Sequence, residues 1–403
     1  MRASSHQDPP GRRARSRLVL RMVLPRPMNA SLRVPLLVTF MSLVLVAVGF
    51  WAGRRTALGG LKQLVASWKQ GERLDFVIGD QDKDTFARAY LDPVKARQEL
   101  ATYSWMPPNT MTPFVMHMPV PGRSANATIG LMQCRGKQEW LPPKANGTLR
   151  VLMTGGSTLY GSGAPSDDAT IAALLEKELS RDARLGGRPV EVHAFAVPGW
   201  ATTHERIAIE NRIADLAPDL VVSFSGVNDI RWATQDRNVL WMRSFSDQHW
   251  FDLQNAVLGL VGDEPHKDYA LPEPSRPTPD TVANRLARNV ELAKCALGRQ
   301  SIPYLWVLQP MLQLTKKTLS ARERRWLEGA GEVPYYTQCA AAIRARFTSL
   351  AAALPKLVDL TPLFDASGAD EELFLDSVHF GDRGNTALAR ALAPEVAALL
   401  VGK

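Results

Sequence analysis

Four short segments of the chain carry side chains and backbone groups that chemistry could use. They are Gly155-Gly156-Ser157-Thr158, Pro198-Gly199-Trp200, Gly226-Val227-Asn228-Asp229 and Asp376-Ser377-Val378-His379. In that order they offer a hydroxyl nucleophile, a backbone N–H, a side-chain amide and a carboxylate–imidazole pair. Together these are the parts needed for acyl transfer through a serine ester. Asp376 and His379 lie three residues apart, so one turn of chain can fold the carboxylate onto the imidazole and fix its tautomer. The other ring nitrogen can then take the proton of Ser157. Among the seven histidines, only His379 combines an acid three residues before it with a Phe-Gly turn after it. His204 falls within a helical stretch and is expected on its polar face. The expected catalytic residues are Ser157, Asp376 and His379. The expected oxyanion hole is formed by the Ser157 and Gly199 N–H groups and the Asn228 amide.

Taken singly, each segment has a plainer reading. A Gly-Gly-Ser turn before a helix can bind phosphate, although neither a GxGxxG pattern nor a GK[ST] follows here. Gly199 after a proline can be an ordinary turn glycine, and Asn-Asp after Gly-Val is a common turn. Their order, and their shared place at strand ends, argue for a single site.

The elements that must position these segments are legible from 149 onward. Residues 149–153 form a short apolar run of strand type ending in the Gly-Gly-Ser turn, and 170–179 follow with apolar residues at helical spacing. Residues 190–197, 219–224, 303–308 and 357–360 read as further strands. Residues 203–216, 282–297, 335–350 and 383–400 read as helices. The alternation, with strands apolar throughout rather than every second residue, predicts a parallel sheet covered on both faces. The expected fold class is α/β: a three-layer α/β/α sandwich with five parallel strands, occupying 149–403. In such sheets ligands bind beyond the carboxyl ends of the strands, where all four segments sit. The alternation stops over 231–281, an insertion holding Trp232, Trp241, Trp250 and a Pro-rich run (LPEPSRPTPD). Because it starts just after Asn228, it is expected to overhang the site; a solvated surface loop is the alternative. The tryptophans would suit stacking on sugar rings or packing as core aromatics.

At these residues the chain resembles the SGNH/GDSL hydrolase superfamily. The family's four motif blocks correspond to Ser157, Gly199, Asn228 and the Asp376/His379 pair, and the terminal DSVHFGDRGN segment matches as well. The likeness covers roughly 150–400. It departs at Gly156, where the GDS form of the motif has aspartate, so this is the Gly-Gly-Ser-Thr type. The stretch GLMQCRGKQEW…GTLRVLMTGGST also resembles the lead-in of membrane-anchored bacterial members. The resemblance implies the fold, serine-esterase chemistry without metal or other cofactor, and the oxyanion-hole roles. An O-acyltransferase would use the same residues, and a catalytically inactive binding module of the cell envelope is the non-enzymatic alternative.

The net charge of +8 suggests nucleic acid until its distribution is read. Eight arginines and one aspartate fall within 1–33, leaving the remainder close to neutral. Nineteen uncharged residues follow at 34–52 (VPLLVTFMSLVLVAVGFWA), long enough to span a hydrocarbon core of roughly 30 Å. The arginines before the span outnumber the basic residues just after it, which predicts a cytoplasmic tail (1–33), a transmembrane signal anchor (34–52) and an exported remainder. A cleaved signal peptide, with Ala47-Val48-Gly49 as the cleavage site, is the alternative, and Met22 or Met28 could be the start. Residues 53–148 read as a juxtamembrane stalk and irregular lead-in. The expected setting is the cytoplasmic membrane with the domain outside it, and the expected substrate an ester, on envelope or secreted polysaccharide or on lipid. The three cysteines have no metal-ligand spacing; buried free thiols are the plainer reading, and one Cys295–Cys339 disulfide is conceivable in an exported protein.

Overall fold

The computed structural model describes residues 30–70, 72–73, 78–136, 143–234, 245–264 and 276–403. The chain divides into two compact units, 1–58 and 59–403.

A long helix, α1 (Ala30–Gln70), begins in the first unit. Its stretch Val34–Arg54 has a mean hydropathy of 2.3 and is not buried by protein. It is long and apolar enough to cross a bilayer, and a signal sequence meets the same criteria.

The second unit is built on a five-stranded, wholly parallel sheet: β1 (Leu149–Gly155), β2 (Val190–Ala196), β3 (Leu220–Ser225), β4 (Tyr304–Leu308) and β5 (Lys356–Asp359). The spatial order is β5-β4-β3-β1-β2. β1, β3 and β4 are buried along their whole length, which explains why their sequences are apolar on both faces. Around the sheet lie α2 (Ile171–Ser180), α3 (Thr202–Ala208), α4 (Val227–Thr234), α5 (Phe245–Val261), α6 (Pro279–Gly298), α7 (Ala321–Ala330), α8 (Val333–Ser349) and α9 (Asp382–Leu400). Val151, Met153, Val222 and Val307 pack on one side with Leu175 of α2 and Leu392 of α9. Leu152, Val221 and Trp306, the alternate residues, pack on the other with Ile209, Leu286 of α6 and Ile343 of α8. The three-layer α/β/α sandwich with five parallel strands is therefore the observed architecture.

Two details differ from the sequence reading. The insertion contains α5, seventeen residues of helix, where no regular element was expected; between its tryptophans and its prolines, Leu253, Val257, Leu258 and Val261 recur at helical spacing. Trp241 lies outside the described residues. α7 was also unread, although Ser320 and Glu323 form a capping box at its start, each side chain bonding the other's backbone N–H. Cys295 and Cys339 are both free thiols, the plainer reading, the second buried but the first exposed.

Ahead of the sheet, 78–136 folds as short helices and strands. Strand Ser104–Met106, the hairpin of Asn109–Thr112 with Met116–Pro119, and the pair Gly122–Arg123 with Thr128–Ile129 follow one another. Their side chains reach the carboxyl end of the sheet.

Candidate active site

The sheet order places β1 between β2 and β3, so the chain leaves β1 in one direction to form β2 and returns on the other side for β3. That reversal opens a crevice at the carboxyl ends of these strands. Ser157 stands at its centre as the first residue of a four-residue helix, Ser157–Tyr160. The two glycines before it are required by close approach. A β-carbon on Gly155 would lie 2.5 Å from the Phe224 carbonyl oxygen of β3, and one on Gly156 would lie 2.5 Å from Asn228 Nδ2.

His379 and Asp376 arrive from the loop before α9. The Leu375 N–H donates to the His379 carbonyl at 2.7 Å, closing the loop into a tight turn. Inside it, Asp376 Oδ1 accepts from the Val378 and His379 N–H groups, both at 2.8 Å. Asp376 Oδ2 meets His379 Nδ1 at 2.7 Å, and His379 Nε2 meets Ser157 Oγ at 2.6 Å. With Nδ1 donating to the carboxylate, Nε2 is left as an acceptor for the Ser157 hydroxyl. Burial by itself would raise the Asp376 pKa, but the facing imidazole and the two backbone N–H donors outweigh it and hold the carboxyl down to about 2. A second strap ties the same elements: Thr158 Oγ1 donates to the Val378 carbonyl at 3.1 Å and accepts from Gln309 Nε2 at 3.0 Å.

Gly199 and Asn228 meet across the crevice. β2 runs into a turn in which the Trp200 N–H donates to the Val197 carbonyl at 3.0 Å. Gly199, at φ +88°, takes the left-handed position that a Pro-Gly turn needs. Asn228 lies in the first turn of α4, buried, and its Nδ2 donates to the Trp200 carbonyl at 2.7 Å. One N–H of that amide is thereby used to hold the turn, and the other remains for an oxygen in the crevice. Trp232 Nε1 donates to the Gly199 carbonyl at 3.1 Å, fixing the same peptide from α4. All five residues expected from the sequence thus come to one place. A hydroxyl hydrogen-bonded to a carboxylate-backed imidazole, beside an amide and a turn glycine, is an arrangement that can accept and return a proton during attack on a carbonyl.

Several neighbours were not legible in the sequence. Trp105, on strand Ser104–Met106, packs edge-on against the His379 ring with centroids 4.4 Å apart. His117 Nε2 reaches the Pro198 carbonyl at 2.9 Å, and Trp200 Nε1 donates back to the His117 carbonyl at 3.3 Å. Arg135, buried, donates to the Gly161 and Asn126 carbonyls, each at 2.6 Å, and pairs with Asp167 at 3.0 Å, gripping the helix that begins with Ser157. Arg322, also buried, donates to the Leu375 carbonyl at 2.8 Å, to the Phe374 carbonyl and to Glu372 at 2.8 Å, holding the segment that leads into Asp376. His204 is buried rather than on a polar face. Its ring stacks on Trp200 at 6.2 Å and accepts from the Ala201 N–H at 3.2 Å, and burial pushes its pKa down to about 3. Beneath the crevice, burial raises Glu205 to about 7 and Asp229 to about 6. Glu205 accepts from Thr154 at 3.0 Å and from Ser225, and Asp229 accepts from the Thr202 hydroxyl at 2.6 Å.

No family model matches the sequence, and no curated protein does. Among solved structures the chain is similar to a lipase/acylhydrolase from Enterococcus faecalis, at 17% identity over 62% of this chain and 96% of that one, TM-score 0.40. It is also similar to a carbohydrate acetylesterase from Sinorhizobium meliloti, at 17% identity over 62% and 99%, TM-score 0.37. A catalytic mutant of an acetylxylan esterase from Geobacillus stearothermophilus matches at 12% identity over 62% and 94%, TM-score 0.38.

Proposed function

We propose that this chain is a serine esterase of the SGNH/GDSL type, held at a membrane by its N-terminal helix with the second unit exported. The observation that carries the proposal is the unbroken chain of hydrogen bonds from Ser157 through His379 to Asp376, at 2.6 and 2.7 Å.

In this reading Ser157 Oγ attacks the ester carbonyl while His379 Nε2 takes its proton. Asp376 keeps the ring oriented and supports the imidazolium that forms. The carbonyl oxygen, now an oxyanion, is met by the Ser157 and Gly199 N–H groups and the second N–H of Asn228, each such donor being worth about 3 kcal/mol in the transition state. The imidazolium passes its proton to the departing alkoxide, releasing the alcohol and leaving an acyl-serine. Water then gives a proton to His379 and attacks the acyl carbon. The Ser157 oxygen leaves with that proton, freeing the carboxylic acid.

The substrate class follows from place. An anchored, exported esterase meets the acyl esters of envelope and secreted polysaccharides, and Trp232 beside Gly199 offers a ring of the kind on which sugars stack. Intact-mass analysis of the full chain in detergent, after exposure to a fluorophosphonate, tests the proposal with Ser157→Ala alongside. One adduct, present only with Ser157, is expected. A folded protein that takes up no adduct, or takes it up equally in Ser157→Ala, overturns the reading.

A further inference from the structure

The lead-in forms a cavity of about 510 Å³ beside the crevice, a volume within the range of small-molecule sites (about 300–1,000 Å³). Two walls connect it to the active residues. Tyr160 lines it and closes the four-residue helix that begins with Ser157. Ser104 and Met106 line it too, while Trp105 between them packs on His379. One short strand therefore has one side toward the imidazole and the other toward the cavity.

The lining mixes two chemistries. Met106, Pro107, Pro121 and Ile129 give flat or aliphatic carbon surface, and Thr102, Ser104, Ser124 and Tyr160 give hydroxyls. Among the described residues no carboxylate lines it, and Arg123 is the one charged lining residue and is exposed. A cation would find no partner there, and an acyl chain would leave the hydroxyls unused. The Tyr160 hydroxyl is an independent sign. It is buried, and its one polar partner among the described residues is the Ser104 hydroxyl, outside ordinary hydrogen-bond geometry, with the Arg135 guanidinium 5.2 Å from its ring centroid. A phenol hydroxyl can both donate and accept, and a buried one so weakly paired lowers stability, so a ligand that supplies a second partner accounts for its presence.

We infer that this cavity is a carbohydrate subsite: it holds a neutral sugar unit next to the acylated one, with carbon faces on the proline and methionine surface and a hydroxyl paired to Tyr160. The inference rests on the esterase reading and makes the enzyme selective for oligomeric substrate.

The test compares acetylated cellotetraose and xylotetraose with the corresponding acetylated monosaccharides, using p-nitrophenyl acetate and p-nitrophenyl octanoate as small esters. The proteins are the full chain, Tyr160→Phe, Ala125→Trp at the exposed rim, and Ser157→Ala as blank. The expected result is a KM at least 10-fold lower for tetrasaccharide than for monosaccharide, with that preference falling several-fold in both cavity variants. Tyr160→Phe should melt no lower than the parent, which separates its effect from unfolding. Equal handling of mono- and tetrasaccharide by the unaltered chain, or a preference unmoved by the variants, overturns the subsite. Loss of octanoate preference in place of oligosaccharide preference makes the cavity an acyl pocket and also overturns it. Failure to hydrolyse p-nitrophenyl acetate above the Ser157→Ala level is a separate outcome, which overturns the esterase reading itself.

Discussion

Gly156 and Asn228 occupy each other's space: a β-carbon on the glycine would stand 2.5 Å from the amide nitrogen of the asparagine and 3.3 Å from the Trp200 carbonyl to which that amide is bonded. Glycine at 156 is therefore matched to the position of Asn228. Gly156→Ala is expected to displace the amide from the oxyanion position and to lower kcat on the order of 10²-fold, the effect of losing one such donor. Steady-state kinetics on p-nitrophenyl acetate, with a melting curve to show a folded protein, checks this. A kcat within threefold of the parent would mean that Asn228 holds the turn and does nothing for the oxyanion.

Asp376→Asn should lower kcat by on the order of 10³- to 10⁴-fold, because the amide can turn an N–H toward His379 and impose the wrong tautomer. With its folded pKa near 2, the parent carboxylate stays charged throughout the working range. A depressed carboxyl contributes stability above its unfolded pKa and loses it as pH falls through the folded value. Any loss of activity between pH 5 and 7 thus comes from another group. Acid denaturation below pH 4 should be shallower in Asp376→Asn than in the parent; identical acid profiles would contradict the assignment.

Glu205 works in the opposite sense. Its folded pKa is raised to about 7 by burial, so the folded state holds the proton more tightly than the unfolded chain. The resulting stabilisation is complete below about pH 4.5 and is lost as pH rises through 7. Around the carboxyl lie Thr154, Ser223, Ser225, Tyr304 and Asp229, with no cation among its direct partners. Melting temperature should fall between pH 5 and 8, and Glu205→Gln should flatten that slope. A slope that persists in the variant assigns it elsewhere, Asp229 being the next group to change.

His117 holds the Gly199 turn from outside, through the Pro198 carbonyl and the Trp200 indole. His117→Ala is expected to lower kcat about 10-fold and leave KM for a small ester within twofold, since the turn's N–H is used when charge develops. An equal rise in KM without a kcat effect would assign His117 to substrate binding.

Arg322→Met leaves Glu372 and two carbonyls in the interior without their donor, which costs roughly 3–5 kcal/mol. Denaturant unfolding should show the loss, and Arg322→Lys should recover little of it, because one ammonium cannot span three acceptors held by a planar fork. Full recovery with lysine would reduce the residue to a charge partner of Glu372.

The framework was legible because β1, β3 and β4 are short apolar runs bounded by glycine or proline, and the helices between them keep a helical apolar period. The site residues were legible for a local reason: Ser157, Gly199 and Asn228 each follow a strand within a few positions, and Asp376 and His379 pair within one turn. Trp105, His117 and Arg135 lie in a segment with no regular period, and their roles appear only when distant parts of the chain meet; His117 and Pro198 are 81 positions apart. His204 misled for a related reason. A histidine in a polar-looking helix became core once the Trp200 ring, itself placed by the turn, covered it.

Ser157 and His379 stand 222 positions apart, and α9, which follows His379, is the last helix of the chain. Translation runs from the N-terminus, so the nucleophile emerges 222 residues ahead of its base. A polypeptide cut short before residue 379 carries the serine but nothing to activate it. On the proposed chemistry, copies that stop short of His379 are expected to be silent, and activity in a cell extract counts only molecules translated past it.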